Sequence, residues 1–267
     1  MTAIRIEHLS EPEKLLWSYG VTRPEHIDLE GIARDRGAEV CYRPLCGCEA
    51  RLVAVGERAT ISVNLASKPE RQRFSLGHEL AHWLRDRRTG GFVCAQEDVA
   101  PQNAEAKSAE AQANAYASQL LMPDYLVERW IAGRKVSLDT AKQLGAEFRT
   151  SLTAAALKLV RMATVPACVL CHNQKGLVWF RKSATMPDDL YVPRELHHET
   201  EAFGMVFESG ERMSRPATEA ATRWLSGAAM RTATVESQTV RLAEGLVLTV
   251  VAIRQAPMRP TGKSTGR

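Results

Sequence analysis

The run His78-Glu79-Leu80-Ala81-His82 constrains this chain more than any other feature. It lies in Arg71 to Arg85 (RQRFSLGHELAHWLR), a helix-compatible stretch without proline. Residues four apart share one face of an α-helix, so both imidazoles can address one ion. Zn²⁺ accepts neutral His nitrogens at about 2.0–2.1 Å. Glu79 is one residue round the helix, off the His face but placed to reach a water beside such an ion. An ion that acidifies water, with a carboxylate to receive the proton, is the minimal apparatus for hydrolysing a peptide bond. The competing reading is a surface helix carrying two unrelated histidines. The downstream sequence argues against it.

Two histidines leave a catalytic zinc one protein ligand short. The pattern H-E-x-x-H-x-x-G-x-x-H would need Gly and His where this chain has Arg85 and Arg88, so that class is excluded. The other common source is a Glu on a following helix. Ser108 to Pro123 (SAEAQANAYASQLLMP) is Ala-rich, offers Ala111, Ala115, Leu120 and Met122 for packing, and ends on proline. Its one carboxylate is Glu110, 28 residues after His82 (110 − 82). Asn114 follows one turn later, where an amide can orient a metal ligand.

These two blocks, RFSLGHELAHWL at Arg73 to Leu84 and EAQANAYASQLLMP at Glu110 to Pro123, resemble the ImmA/IrrE-type metallopeptidases. Gly77 stands where that family has Ala, Gln112 where it has a second Glu, and Tyr116 where it has Phe. The run Ile32 to Asn64 (IARDRGAEV, CGCEARL, TISVN) is similar too, so the resemblance covers about residues 28–125, weakens to 165 and fades beyond. It implies a zinc endopeptidase with one Zn²⁺ per chain, metal ligands His78, His82 and Glu110, and Glu79 as the catalytic base. The substrate it implies is a helix-turn-helix transcriptional repressor, whose cleavage derepresses a stress or mobile-element response. The alternative is a non-proteolytic antirepressor or DNA-contacting regulator that retains the metal site. Against that alternative stands Glu79, a base that a structural site does not need.

Length and composition agree with an enzyme. The chain has 267 residues, 45% hydrophobic and 25% charged, an ordinary globular balance. It has no apolar stretch of 18–20 residues, and MTAIRIEHLSEPEK lacks the basic-then-apolar pattern of a signal peptide. A cytoplasmic protein with no membrane contact is expected. The net charge of +4 permits a nucleic-acid contact without arguing for one as the primary role.

In that compartment the six cysteines stay reduced. Cys168-Val169-Leu170-Cys171-His172 spells a haem-attachment motif. It also reads as a short strand, which would send Cys168 and Cys171 to opposite faces. Cys46 and Cys48 are read as loop or packing residues rather than a thiolate gate on the zinc, and His197-His198 as a solvated pair.

The fold class expected is α+β, in four segments. Residues 1–125 form a small gluzincin-like metallopeptidase domain: a leading helix (Glu11 to Tyr19) and linker over 1–26, a helix at Ile27 to Arg36, strands EVCYR, RLVAV and TISVN, and two ligand helices joined through Gly90-Gly91. Residues 126–164 form a helical, helix-turn-helix-like subdomain. It has helices at Asp124 to Ala132, Leu138 to Phe148 and Ser151 to Met162, with Ser137 as an N-cap and Ala141 and Gly145 in motif-like spacing. The last of these helices offers Lys158 and Arg161 only at its far end, which favours packing over base reading. Residues 165–256 form a small α+β domain of sensory or substrate-recognition role. Its strands are ACVLCH, GLVWFR, AFGMVF, ATVESQTVRL and LVLTVVAIR, with a helix at Ala217 to Leu225. Residues 257–267 are read as a flexible tail.

Overall fold

The computed structural model describes residues 5–86 and 104–254. The Gly90-Gly91 connection and the tail at 257–267 lie outside the described residues. The chain is α+β and divides into two compact units, residues 1–132 with 144–154, and residues 133–143 with 155–267. The segment read as a helical subdomain is thus apportioned between both units. Among the described residues no helix is long and apolar enough to cross a membrane.

The first unit opens with α1 (Glu11–Ser18), capped by Ser10 in a capping box with Glu13. The buried Glu13 carboxylate also accepts the Tyr125 N–H at 3.2 Å, and the Tyr125 hydroxyl donates to the Val21 carbonyl at 2.8 Å. Next come α2 (Leu29–Asp35), β1 (Ala38–Arg43), β2 (Ala50–Val55) and β3 (Arg58–Asn64). Their sheet has the order β1-β3-β2, with β1 parallel and β2 antiparallel to β3, so β2 is an edge strand. The register puts Ala38, Leu52, Ile61 and Val63 on one face, all buried.

The long helix α3 (Pro69–Asp86) packs on β2 and β3 and carries Leu76, Leu80 and Trp83 into this core. The Trp83 indole N–H donates to the Arg36 carbonyl at 2.8 Å, tying α3 to the end of α2. α4 (Ala104–Leu121) lies against α3. Their approach is close because the facing residues are small. A Cβ added at Gly77 would sit 3.5 Å from the Ala117 Cβ. α5 (Asp124–Ile131) follows the helix-ending Pro123.

α6 (Leu138–Phe148) starts at Ser137, whose hydroxyl accepts the Thr140 N–H at 3.2 Å, an N-cap. α7 is Leu152–Arg161. The turn between them is made at Arg149 (φ 53).

The second unit holds a five-stranded antiparallel sheet of β4 (Ala167–Asn173), β5 (Gly176–Lys182), β6 (Ala217–Ala220), β7 (Thr234–Ala243) and β8 (Leu246–Arg254), in the order β5-β4-β8-β7-β6. Cys168, Leu170, Val247 and Val251 face α8 (Glu201–Phe207), which adds Ala202, Met205 and Val206 to the same core. On the opposite face the Asp139 N–H donates to Gln238 Oε1 at 3.0 Å.

Two expectations fail here. AFGMVF is not a strand but most of α8: Thr200 caps it through the Phe203 N–H, and the buried residues 202, 205 and 206 follow helical spacing. Ala217 to Leu225 is not a helix. Residues 217–220 are the edge strand β6, paired with β7, and only 221–223 coil into a 3-10 turn. The Glu219 carboxylate is held there by the Trp224 N–H at 2.8 Å and the Ser237 hydroxyl, contacts that outweigh local helix propensity.

Candidate metal centre

α3 presents Arg71, Ser75, His78 and His82 along one stripe, at spacings of four, three and four residues. α4 brings Glu110 opposite the two histidines. His78 Nε2 is 3.2 Å from Glu110 Oε2, His82 Nε2 is 3.4 Å from Glu110 Oε1, and the two Nε2 atoms are 3.2 Å apart. Three donors around a tetrahedral zinc at ~2.0–2.1 Å stand roughly 3.3–3.4 Å from one another. One donor atom from each of the three side chains lies within 4.8 Å of the others, a spacing that suits a shared ion. Among the described residues this trio is the one cluster of three or more such donors.

The ring of His78 is set by a second contact. Its Nδ1 lies 3.0 Å from Asn114 Oδ1, so Nδ1 carries the proton and Nε2 keeps its lone pair for a metal. Glu79 is 5% exposed and lines the same cleft, with Ala50, Arg71, Phe74, Ser75 and Asn114. The cleft encloses about 200 Å³. Ala50 comes from the edge strand β2, so one wall is sheet edge and the other is helix.

Arg71, Phe74 and Ser75 join the site although the sequence assigned them no role in it. The helical stripe that carries the histidines was the signal that could have found them. Arg71 Nε stands 3.7 Å from Glu49 Oε2, and its guanidinium lies 5.9 Å from the Phe74 ring centroid. Gln112, in place of a second Glu, accepts from Arg85 and donates to the Ser108 hydroxyl at 3.0 Å. Burial raises the Tyr116 hydroxyl to about 12.

The remaining candidates stand apart from this centre. Asn64 Nδ2 binds the Leu45 and Cys48 carbonyls of the loop holding Cys46 and Cys48, and neither cysteine lines the cleft. Cys168 pairs across the sheet with Val251 and Cys171 with Leu248, on opposite faces. Burial pushes the Cys168 thiol up to about 12. His197 and His198 stack with ring centroids 4.7 Å apart, and His197 Nδ1 accepts the Glu199 N–H.

Fold and site together define a metallopeptidase-type α+β domain whose chain interleaves with that of a second unit. The profile of the IrrE N-terminal-like domain matches residues 33–160, the segment that holds the candidate metal centre. Across nearly its whole length the chain shares the fold of a Mycobacterium tuberculosis transcriptional regulator. The TM-score is 0.60 at 16% identity, over 96% of this chain and 90% of that one. No curated protein matches this chain in sequence.

Proposed function

We propose that this protein is a zinc-dependent endopeptidase of the cytoplasm, acting on a specific protein, a helix-turn-helix transcriptional repressor. The observation that carries the peptidase reading is the convergence of His78, His82 and Glu110 at 3.2–3.4 Å beside the buried Glu79. His78, His82 and Glu110 would hold one zinc. When bound, zinc supplies Lewis acidity toward the scissile carbonyl and a lowered pKa for water. Glu79 takes a proton from the attacking water and returns it to the leaving amine as the C–N bond breaks. Asn114 keeps the His78 ring in the required tautomer and orientation. The open edge of β2 beside Ala50 gives an extended polypeptide a backbone to pair with.

The repressor substrate rests on the family resemblance. Incubating the zinc-loaded protein with the helix-turn-helix repressor encoded beside its gene, and mapping the products by mass spectrometry, tests it. One discrete cut, absent with Glu79→Gln, is expected. An intact repressor would overturn the substrate assignment.

A second reading is favoured by the fold shared with a transcriptional regulator. In it the chain acts by binding, as an antirepressor or on DNA, and the metal centre is structural. The two readings differ on Glu79→Gln in cells: the peptidase reading requires derepression to be lost, whereas the binding reading leaves it intact.

A further inference from the structure

The second unit contains a cleft of about 240 Å³, distant in sequence from the metal centre and unused by the proposed chemistry. Its walls are the β4–β5 turn at residues 173–176, the segment around Leu196, and one side of α8 bearing Phe203, Val206 and Phe207. The turn and the Leu196 segment are locked together. The Leu177 N–H donates to the Arg194 carbonyl at 2.7 Å, and a Cβ at Gly176 (φ +114) would stand 2.6 Å from that same oxygen. Only glycine permits this approach.

Two features of the cleft point to a ligand. Phe203 and Phe207 meet edge to face at 5.5 Å and are 38% and 59% exposed, an aromatic wall left open on a short helix. The cleft also carries one charge of each sign, Lys175 and Glu195, and among the described residues neither side chain has an ion-pair partner.

We infer that this cleft binds an aromatic α-amino acid. A dry cavity of about 150 Å³ accommodates benzene, so 240 Å³ holds one ring with a short polar head. The ring packs on Phe203 and Phe207, the carboxylate takes Lys175, and the ammonium takes Glu195. A simple aromatic acid would leave Glu195 facing a like charge. An aromatic amine would do the same to Lys175. Only the zwitterion answers both.

The test is isothermal titration of the full-length protein with L-phenylalanine, phenylacetate, phenethylamine and L-alanine. Saturable 1:1 binding of L-phenylalanine is expected, with each of the others about tenfold weaker or worse. Lys175→Ala, Glu195→Ala and Phe207→Ala all alter exposed side chains, so the fold should survive, as circular dichroism can verify. Each should weaken L-phenylalanine by about tenfold. No saturable binding, equal affinity for phenylacetate, or variants indistinguishable from the parent would each overturn the assignment. None of these outcomes bears on the peptidase reading, which is scored on Glu79.

Discussion

His78 Nδ1 sits 3.0 Å from Asn114 Oδ1, one helical turn beyond Glu110 on the same helix. A single face of α4 therefore delivers both a candidate ligand and the group that orients a second candidate ligand. Asn114→Ala should fold normally yet bind zinc about 10–100-fold more weakly, as read by chelator competition. Asn114→Asp, which still accepts from Nδ1, should restore most of that loss. Unchanged affinity in the alanine variant would show that packing alone holds the ring.

Glu110 stands within 3.4 Å of both imidazoles. Elemental analysis should find about one zinc per parent chain and markedly lower occupancy in Glu110→Ala, because two histidines make an incomplete site. Dialysis against a chelator should abolish proteolysis of the parent, with recovery on adding zinc.

Glu79→Gln is nearly isosteric and cannot accept the proton. Metal content and thermal unfolding should stay at parent values while turnover falls by about 10²–10⁴-fold or more. A variant retaining parental turnover would remove Glu79 from the chemistry.

At Gly77 the space for a methyl is already present: the nearest atoms to an added Cβ lie at 3.5–3.7 Å, ordinary contact distance. Gly77→Ala should therefore stabilise the fold by about 0.4–1 kcal/mol through the unfolded chain and helix propensity. A urea titration measures this directly. A lower midpoint would mean that α3 and α4 are forced apart.

Burial lowers the His172 imidazole from 6.5 to about 4. Between those values the unfolded chain binds a proton that the folded chain refuses. The histidine's contribution is thus complete above about pH 6.5 and is lost toward pH 4, by up to about 1.4 kcal/mol per pH unit. His172→Leu should flatten that part of the stability profile. A slope that persists unchanged would assign it to other groups.

Much of this was legible in the residues, for identifiable reasons. His78 and His82 lie four apart on a proline-free helical run, a spacing that carries its own geometry, and Glu110 lies on an Ala-rich helix whose end Pro123 marks. The strands of the first sheet are short, bounded by turns and rich in β-branched residues. The misreadings fall where tertiary contacts decide. AFGMVF is apolar enough for a strand, and only its Thr200 cap and the pairing of Ala202 with Met205 and Val206 betray the helix. ATEA is extended because β7 is there to pair with it, which nothing within those four residues announces. Arg71 and Ser75 lie on the histidine stripe of α3, but the wall opposite, at Ala50, depends on what β2 brings alongside.

The division of the chain has a consequence for how such a protein can be taken apart. Following the backbone from 132 to 155, one passes between the two units three times. No single scission yields two whole pieces, and a deletion beginning at Val165 would strip away the sheet while stranding residues 133–143 and 155–164 that belong with it. Recombination faces the same obstacle. A foreign sheet unit cannot be grafted on whole at one crossover, because the two units share the segment from 133 to 154.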